Sequence, residues 1–275
     1  MKITAQQVNE LRKLTGAGMM DCKKALVESD GDMEKAVDIL RKKGQKVAAS
    51  RADRDAAEGV VLARVSDDKS YAAALMINCE TDFVAKNQDF IDYVNAVLNL
   101  AVENKVKDAE QLKSLKMNGR TVEETVMDQT GVIGEKIQLG SFEAIQADST
   151  YAYVHPGNRI ATIAGFNKSG DNLAEAGKDV VMQIAAMAPV AINKDDVPSS
   201  IVDREIEIGK EQARQEGKPE AMLEKIAMGK LNKFYKENTL LNQAFIKDGK
   251  KSVADYLKDA DKELTVVNFK RLALS

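Results

Sequence analysis

The same order of segments, strand then turn then strand then helix, runs through this 275-residue chain twice, and few architectures accommodate that. In the first copy, residues 59–65 and 71–78 are rich in β-branched and small apolar residues and flank the polar turn Asp67-Asp68-Lys69-Ser70, a hairpin signal. Ile91, Val94, Leu98, Ala101 and Val102 then recur at helical spacing. In the second copy the strands fall at residues 151–154 and 159–167, and Val180, Ile184 and Met187 align on a helix over residues 173–188. The pattern predicts an α+β core of two related subdomains, over residues 58–146 and 147–275.

Each copy carries additions. Residues 108–130 read as two short helices, the second opened by the capping box Thr121-x-x-Glu124, and residues 135–145 as a strand. Residues 198–234 read as an inserted antiparallel helical hairpin about Gly217-Lys218-Pro219, with Ile201, Ile208 and Ala213 expected opposite Ile226, Met222 and Leu231. A short helix at residues 253–257 and a strand at residues 264–272 close the chain.

The first 46 residues follow another rule. Thr4 with Gln7 forms a capping box, and Val8, Leu11 and Leu14 give one apolar face. Gly16-Ala17-Gly18 breaks that helix; a second runs through Cys22, Ala25 and Leu26 to the turn Asp30-Gly31-Asp32. A third is striped by Met33, Ala36, Val37 and Leu40 and expected to close at Gly44. The result is a three-helix module over residues 1–46, with a partly helical linker at 47–57. Residues 1–54 hold 12 Lys and Arg against 8 Asp and Glu, net +4, leaving −7 for the remainder of a chain whose total is −3. A solvated surface accounts for so modest an excess; a basic docking face is the other reading.

Composition removes several function classes. With 44% apolar residues the chain buries a core, yet its longest apolar run, residues 180–192, is short and broken by Gln183 and Pro189. Residues 1–7 carry no signal-like apolar stretch, so no membrane association and a cytoplasmic location are expected. Cys22 and Cys79 have no CxxC spacing and read as packed thiols, and a single histidine, His155, leaves neither a two-histidine metal site nor a served catalytic triad. Walker A, GxGxxG and GxSxG motifs are missing, so no nucleotide cofactor or metal is expected.

Three stretches change the reading. Residues 11–26, LRKLTGAGMMDCKKAL, residues 78–85, NCETDFVA, and, more weakly, Gly217-Lys218-Pro219 with residues 241–245, LNQAF, resemble the elongation factor Ts family in the family's order. The resemblance implies that the amino-terminal module is UBA-like. It also implies that the protein is no enzyme but a guanine nucleotide exchange factor for elongation factor Tu, met in its GDP-bound and nucleotide-free forms. By the same resemblance Arg12, Met19 and Met20 contact the partner's GTPase domain. Thr81, Asp82, Phe83 and Val84 form the turn that disturbs its Mg2+ and phosphate site, and His155 contacts a β-domain.

Physics alone gives each motif a plainer role as well. Gly16 and Gly18 can serve only to turn the chain, and Met19 and Met20 to fill a core, although adjacent helical residues diverge and one of the two methionines is expected to be exposed. Thr81 followed by Asp82-Phe83 also reads as an N-cap with an aromatic anchor, and His155 as a surface residue of the turn His155-Pro156-Gly157-Asn158-Arg159. Asn158 stands where the family more often has glycine, and Ala244 where it has proline. No carboxy-terminal extension follows Ser275, so no contact from one is expected. Two other function classes remain. An RNA- or ribosome-associated module would use Lys23-Lys24 and Arg41-Lys42-Lys43, against 5% aromatic content and no RNP or KH loop. A helper enzyme lacks any catalytic constellation.

Overall fold

In the computed structural model, which describes residues 3–275, Met1 and Lys2 lie outside the described residues although the expected amino-terminal module includes them. The described chain is α+β. Helices α1 (Ala5–Thr15), α2 (Met19–Glu28) and α3 (Met33–Ser50) make the amino-terminal module. The Thr4/Gln7 capping box is formed in both directions, at 3.2 and 3.0 Å, and Gly16 ends α1 in the left-handed conformation, φ 69°, where a side chain would be strained. Val8, Leu11, Ala17, Cys22, Ala25, Leu26 and Ala36 fill the small core of this module.

Two expectations for the module require correction. Leu14 is 67% exposed, because the turn at Gly16 follows at once and Ala17 and Cys22 already fill the space beneath. Helix α3 does not stop at Gly44 but continues to Ser50, into the segment read as linker. Gly44 is a packing residue: a Cβ built on Gly131 would lie 2.5 Å from the Gly44 Cα, so the two backbones meet where Gly131 can carry no side chain.

Strands β1 (Glu58–Val65) and β2 (Tyr71–Cys79) are followed by the single-turn helix α4 (Asp82–Ala85) and by α5 (Gln88–Glu103). Next come α6 (Ala109–Ser114), the two-residue strands β3 (Lys116–Met117) and β4 (Arg120–Thr121), α7 (Val122–Ile133) and β5 (Gln138–Gln146). Phe90, Val94, Val97, Leu98, Ala101 and Val102 form the buried face of α5. The Thr121/Glu124 box caps α7, and Gly131, the partner of Gly44, lies on its last turn. The β3–β4 hairpin was not expected, although Asn118-Gly119, with φ 54° and 82°, is the dipeptide that a tight two-residue hairpin demands.

Strands β6 (Ser149–Val154) and β7 (Ile160–Phe166) pair antiparallel, and α8 (Ala174–Met187) buries Val180, Val181 and Ile184 in the core that Tyr151, Ala164 and Phe166 line. Gly177 permits this, since a Cβ there would meet the Tyr151 ring at 2.3 Å. Met187, expected on the same face, is 43% exposed as the last residue of α8. Helices α9 (Ser199–Gln215) and α10 (Leu223–Asn238) form the hairpin; β8 (Ala244–Phe245), β9 (Asp248–Ser252), α11 (Val253–Ala260) and β10 (Val266–Ala273) complete the chain. The hairpin seam is narrower than expected. The buried residues are Gly209 and Ala213 on α9 and Leu223, Ala227 and Leu231 on α10, a Cβ on Gly209 would lie 3.1 Å from the Ala227 Cα, and Ile208 and Met222 are exposed.

The chain divides into two compact units, one of residues up to Leu62 with Leu75–Glu143 and Leu272–Ser275, the other of Ala63–Ala74 with Ala144–Arg271. Sheet order is β1-β2-β5 in one three-stranded sheet and β6-β7-β10 in the other. In each, the second strand lies in the middle, a helix follows it, and the third strand returns to its side.

Candidate functional site

The sequence-predicted residues fall in three places. Around the turn that leaves β2, Thr81 caps α4, its side chain accepting from the Val84 amide at 3.5 Å, and this short turn lifts Phe83 away from the protein. Phe83 is 83% exposed, the most exposed large apolar side chain among the described residues, while Asp82 and Val84 are half-buried. Lys86 donates to Asp82 at 2.6 Å one helical turn on, and that hydrogen bond holds the Asp82 carboxyl below the usual aspartate range.

The base of this turn is fixed by charged groups distant in sequence. Glu135 accepts the Thr81 amide at 3.0 Å and the Thr81 hydroxyl at 2.7 Å. Glu80 accepts the Lys136 amide at 2.6 Å, and Nη1 of Arg51, at the end of α3, donates to both oxygens of Glu80 at 2.8 and 2.9 Å. The Lys136 amide first and Arg51 second hold the Glu80 carboxyl below the ordinary glutamate range. Beneath them Cys79 is buried, its thiol pushed up to about 12 chiefly by desolvation, which leaves it a packed and unreactive group. None of Arg51, Glu80, Glu135 or Lys136 was singled out from sequence as a site residue. Their contacts span 29 to 56 positions, and no local spacing encodes them.

The second place is the start of α2. Met19 and Met20 are both exposed, at 55% and 61%, rather than one of them, because Gly18 caps the helix and its first turn overhangs a core closed by Ala17 and Cys22. Arg12 is exposed on α1, and Leu14 and Val27 add apolar surface to the same module. The third place is the β6–β7 turn, where His155 is exposed and its Nδ1 lies 2.9 Å from the Tyr153 hydroxyl. Gly157 and Asn158 carry positive φ, 93° and 55°, so asparagine does serve the left-handed position there. LNQAF has an internal role: Gln243 is buried and donates to the Glu237 and Met187 carbonyls, and Gln183 donates to Gln243 and accepts from the Ile246 amide.

Among the described residues no group of three or more His, Cys, Asp or Glu could hold a metal ion, and no helix is long and apolar enough to cross a membrane. An α+β frame that holds a bare phenylalanine and two bare methionines in solvent is a frame for presenting side chains. The family described as Elongation factor TS matches residues 80–275. The chain is 54% identical to elongation factor Ts of Christiangramia forsetii over 273 residues, 99% of each chain. It is 50% identical to that of Amoebophilus asiaticus over 99% of each, and 49% identical to that of Porphyromonas gingivalis, covering 100% of this chain and 99% of the relative. By these relationships the chain is a translation elongation factor. It belongs to the elongation factor Ts family.

Proposed function

We propose that this protein promotes GDP release from elongation factor Tu by loosening the partner's Mg2+ and phosphate site, and that it catalyses no covalent reaction of its own. The observation that carries the reading is Phe83, 83% exposed at the tip of a turn whose base is tied down. A phenylalanine in water gains on entering a partner's pocket, and that gain can offset the cost of distorting the pocket. The bound Mg2+ bridges and neutralises phosphate oxygens, so displacing it leaves GDP held by fewer charge-assisted contacts. Asp82, already ionised beside Lys86, steadies the turn or acts on the magnesium side.

Arg12, Met19 and Met20 would dock the amino-terminal module on the GTPase domain, and His155 would touch a β-domain. Methionine suits the first role because its flexible thioether adapts to an apolar surface. Linkage makes the effect reciprocal: whatever factor lowers GDP affinity also lowers this protein's affinity for the GDP-bound partner, and it leaves when GTP binds. A weakening of about 3–6 kcal/mol, expressed in the off-rate, accelerates release by about 10² to 10⁴-fold.

The test is stopped-flow release of fluorescent GDP from elongation factor Tu. A saturable acceleration is expected with this protein and a loss of about 10²-fold with Phe83→Ala, binding being largely kept. Unchanged release in that variant overturns the wedge. No acceleration by the unaltered protein, together with steeply salt-dependent RNA binding, would replace exchange with the RNA-associated reading.

A further inference from the structure

We infer that Arg51, Glu80 and Glu135 are positioning residues that hold the Phe83 turn preformed in the free protein and tie it to the end of α3. The inference rests on the exchange reading above. Two dipeptides far apart in sequence, Glu80-Thr81 and Glu135-Lys136, trade hydrogen bonds: the Glu80 side chain takes the Lys136 amide and the Glu135 side chain takes the Thr81 amide and hydroxyl. Such an exchange fixes both backbones at once, as a capping box does, and leaves neither segment free to slide. The third strand of the clasp comes from α3. Arg51 bridges both oxygens of Glu80, and the Lys136 ammonium donates to the carbonyls of Ala52 and Arg54 at 2.8 and 2.9 Å.

The placement has a purpose that packing alone would not need. The clasp ends one residue before Asp82 and two before Phe83, a large apolar side chain left in water and hence without contacts to fix its own direction. A mobile wedge would have to be ordered when it meets the partner, and that ordering would subtract from the distortion it can impose; a wedge fixed beforehand avoids the loss. Helix α3 also belongs to the module that carries Arg12, Met19 and Met20, and it is pinned to α7 by the Gly44–Gly131 approach. The clasp therefore links the proposed docking surface to the wedge within one compact unit.

The test uses the full chain with Glu135→Gln, Glu80→Gln, Arg51→Met and Arg51→Lys, each first shown to melt cooperatively. In the protein alone, amide hydrogen exchange at Thr81 and Lys136 should speed up by about 10 to 100-fold in the two glutamine variants, while amides in α5 stay protected. With elongation factor Tu, GDP release at saturation should fall by about tenfold in Glu135→Gln and Arg51→Met, with the half-saturating concentration little changed, and Arg51→Lys should recover most of it. A loss confined to stability, with release at saturation unchanged, would overturn the inference, as would unaltered Thr81 and Lys136 protection in Glu135→Gln. The amide measurement needs no partner. Failure of the exchange reading, seen as normal release in Phe83→Ala, is thereby told apart from failure of the clasp.

Discussion

The loop after β2 and the loop after β7 occupy the same position in the two strand–strand–helix–strand arrangements, and both are tied to the segment that precedes the third strand. In the first, Glu80 and Thr81 are bound to Glu135 and Lys136, just before β5. In the second, Asn167 donates to the Glu263 carbonyl and accepts the Thr265 amide, both at 2.8 Å, and Lys168 sits 2.8 Å from Asp261 and from Glu263, just before β10. The tie is thus a property of the frame. What differs is the load: the first loop goes on to lift Phe83 into solvent, whereas the second continues as Ser169-Gly170-Asp171, with no apolar side chain to offer. On the exchange reading proposed above, the loop that carries an exposed apolar side chain is the one a partner can bury.

The widest gap between the loops should appear in exchange itself. Phe83→Ala is expected to cost about 10²-fold in GDP release, whereas Lys168→Met, which removes two surface ion pairs, should change release by less than about twofold and leave stability nearly unchanged. Equal losses in stopped-flow release would erase the distinction. A second contrast lies in stability. Asn167→Ala removes two hydrogen bonds to main chain and should lower the unfolding free energy by about 1–2 kcal/mol in denaturant melts while release at saturation is kept. If that variant slowed release as Glu135→Gln is expected to, the second tie would also serve exchange.

Acid should separate the ties next. Glu80 is held below the ordinary glutamate range by the Lys136 amide and Arg51, so its stabilisation is present above that range and is lost as the pH falls through its lowered value. The Asn167 bonds do not titrate, although Asp261 beside them, held low first by Lys168 and then by the Glu263 amide, will weaken its own pair on the same side. Hydrogen exchange followed down the acid limb should therefore release Lys136 before Thr265, after allowance for the intrinsic pH dependence of each amide. The reverse order would mean that the charged clasp is not what fixes the Phe83 turn.

How far these features could be read from sequence follows from how local their causes are. Capping boxes at Thr4 and Thr121, the paired strand–turn–strand segments and the α5 stripe rest on spacings of a few residues, and all are formed. Gly44 was misread because a glycine that ends a helix and one that lets two helices touch look alike until the second helix is placed. Gly209 and Ala227, which meet across the hairpin seam, were passed over for their larger neighbours Ile208 and Ile226, because a close approach of two backbones leaves no apolar stripe to read. Asn118-Gly119 was a missed local signal, since strands of only two residues on each side, Lys116-Met117 and Arg120-Thr121, are too short to show an alternation. Phe83 is the instructive case: Thr81-Asp82-Phe83-Val84 has the local form of a capped helix with an aromatic anchor, and it is a capped helix, yet the aromatic is in solvent. The base of that turn is held by Glu135, 54 positions on from Thr81, and no local spacing announces such a partner.

The smallest effect belongs to the one exposed histidine, which lies at the other end of β7 from Asn167. His155 sits in a turn closed by main chain, its amide donating to the Ile160 carbonyl and its carbonyl accepting the Asn158 amide, and its ring meets Tyr153 of the preceding strand β6. Alanine there leaves the turn intact, so thermal stability should move by no more than about 0.5 kcal/mol. An exposed side chain at the rim of an interface contributes little, and His155→Ala should raise the half-saturating concentration in the GDP-release titration by about two- to fivefold with the saturating rate unchanged. A fall in the saturating rate would instead mean that the second half acts on the nucleotide and not only on the grip. The contrast between a first loop that acts on the nucleotide and a second half that adds only to binding would then have to be abandoned.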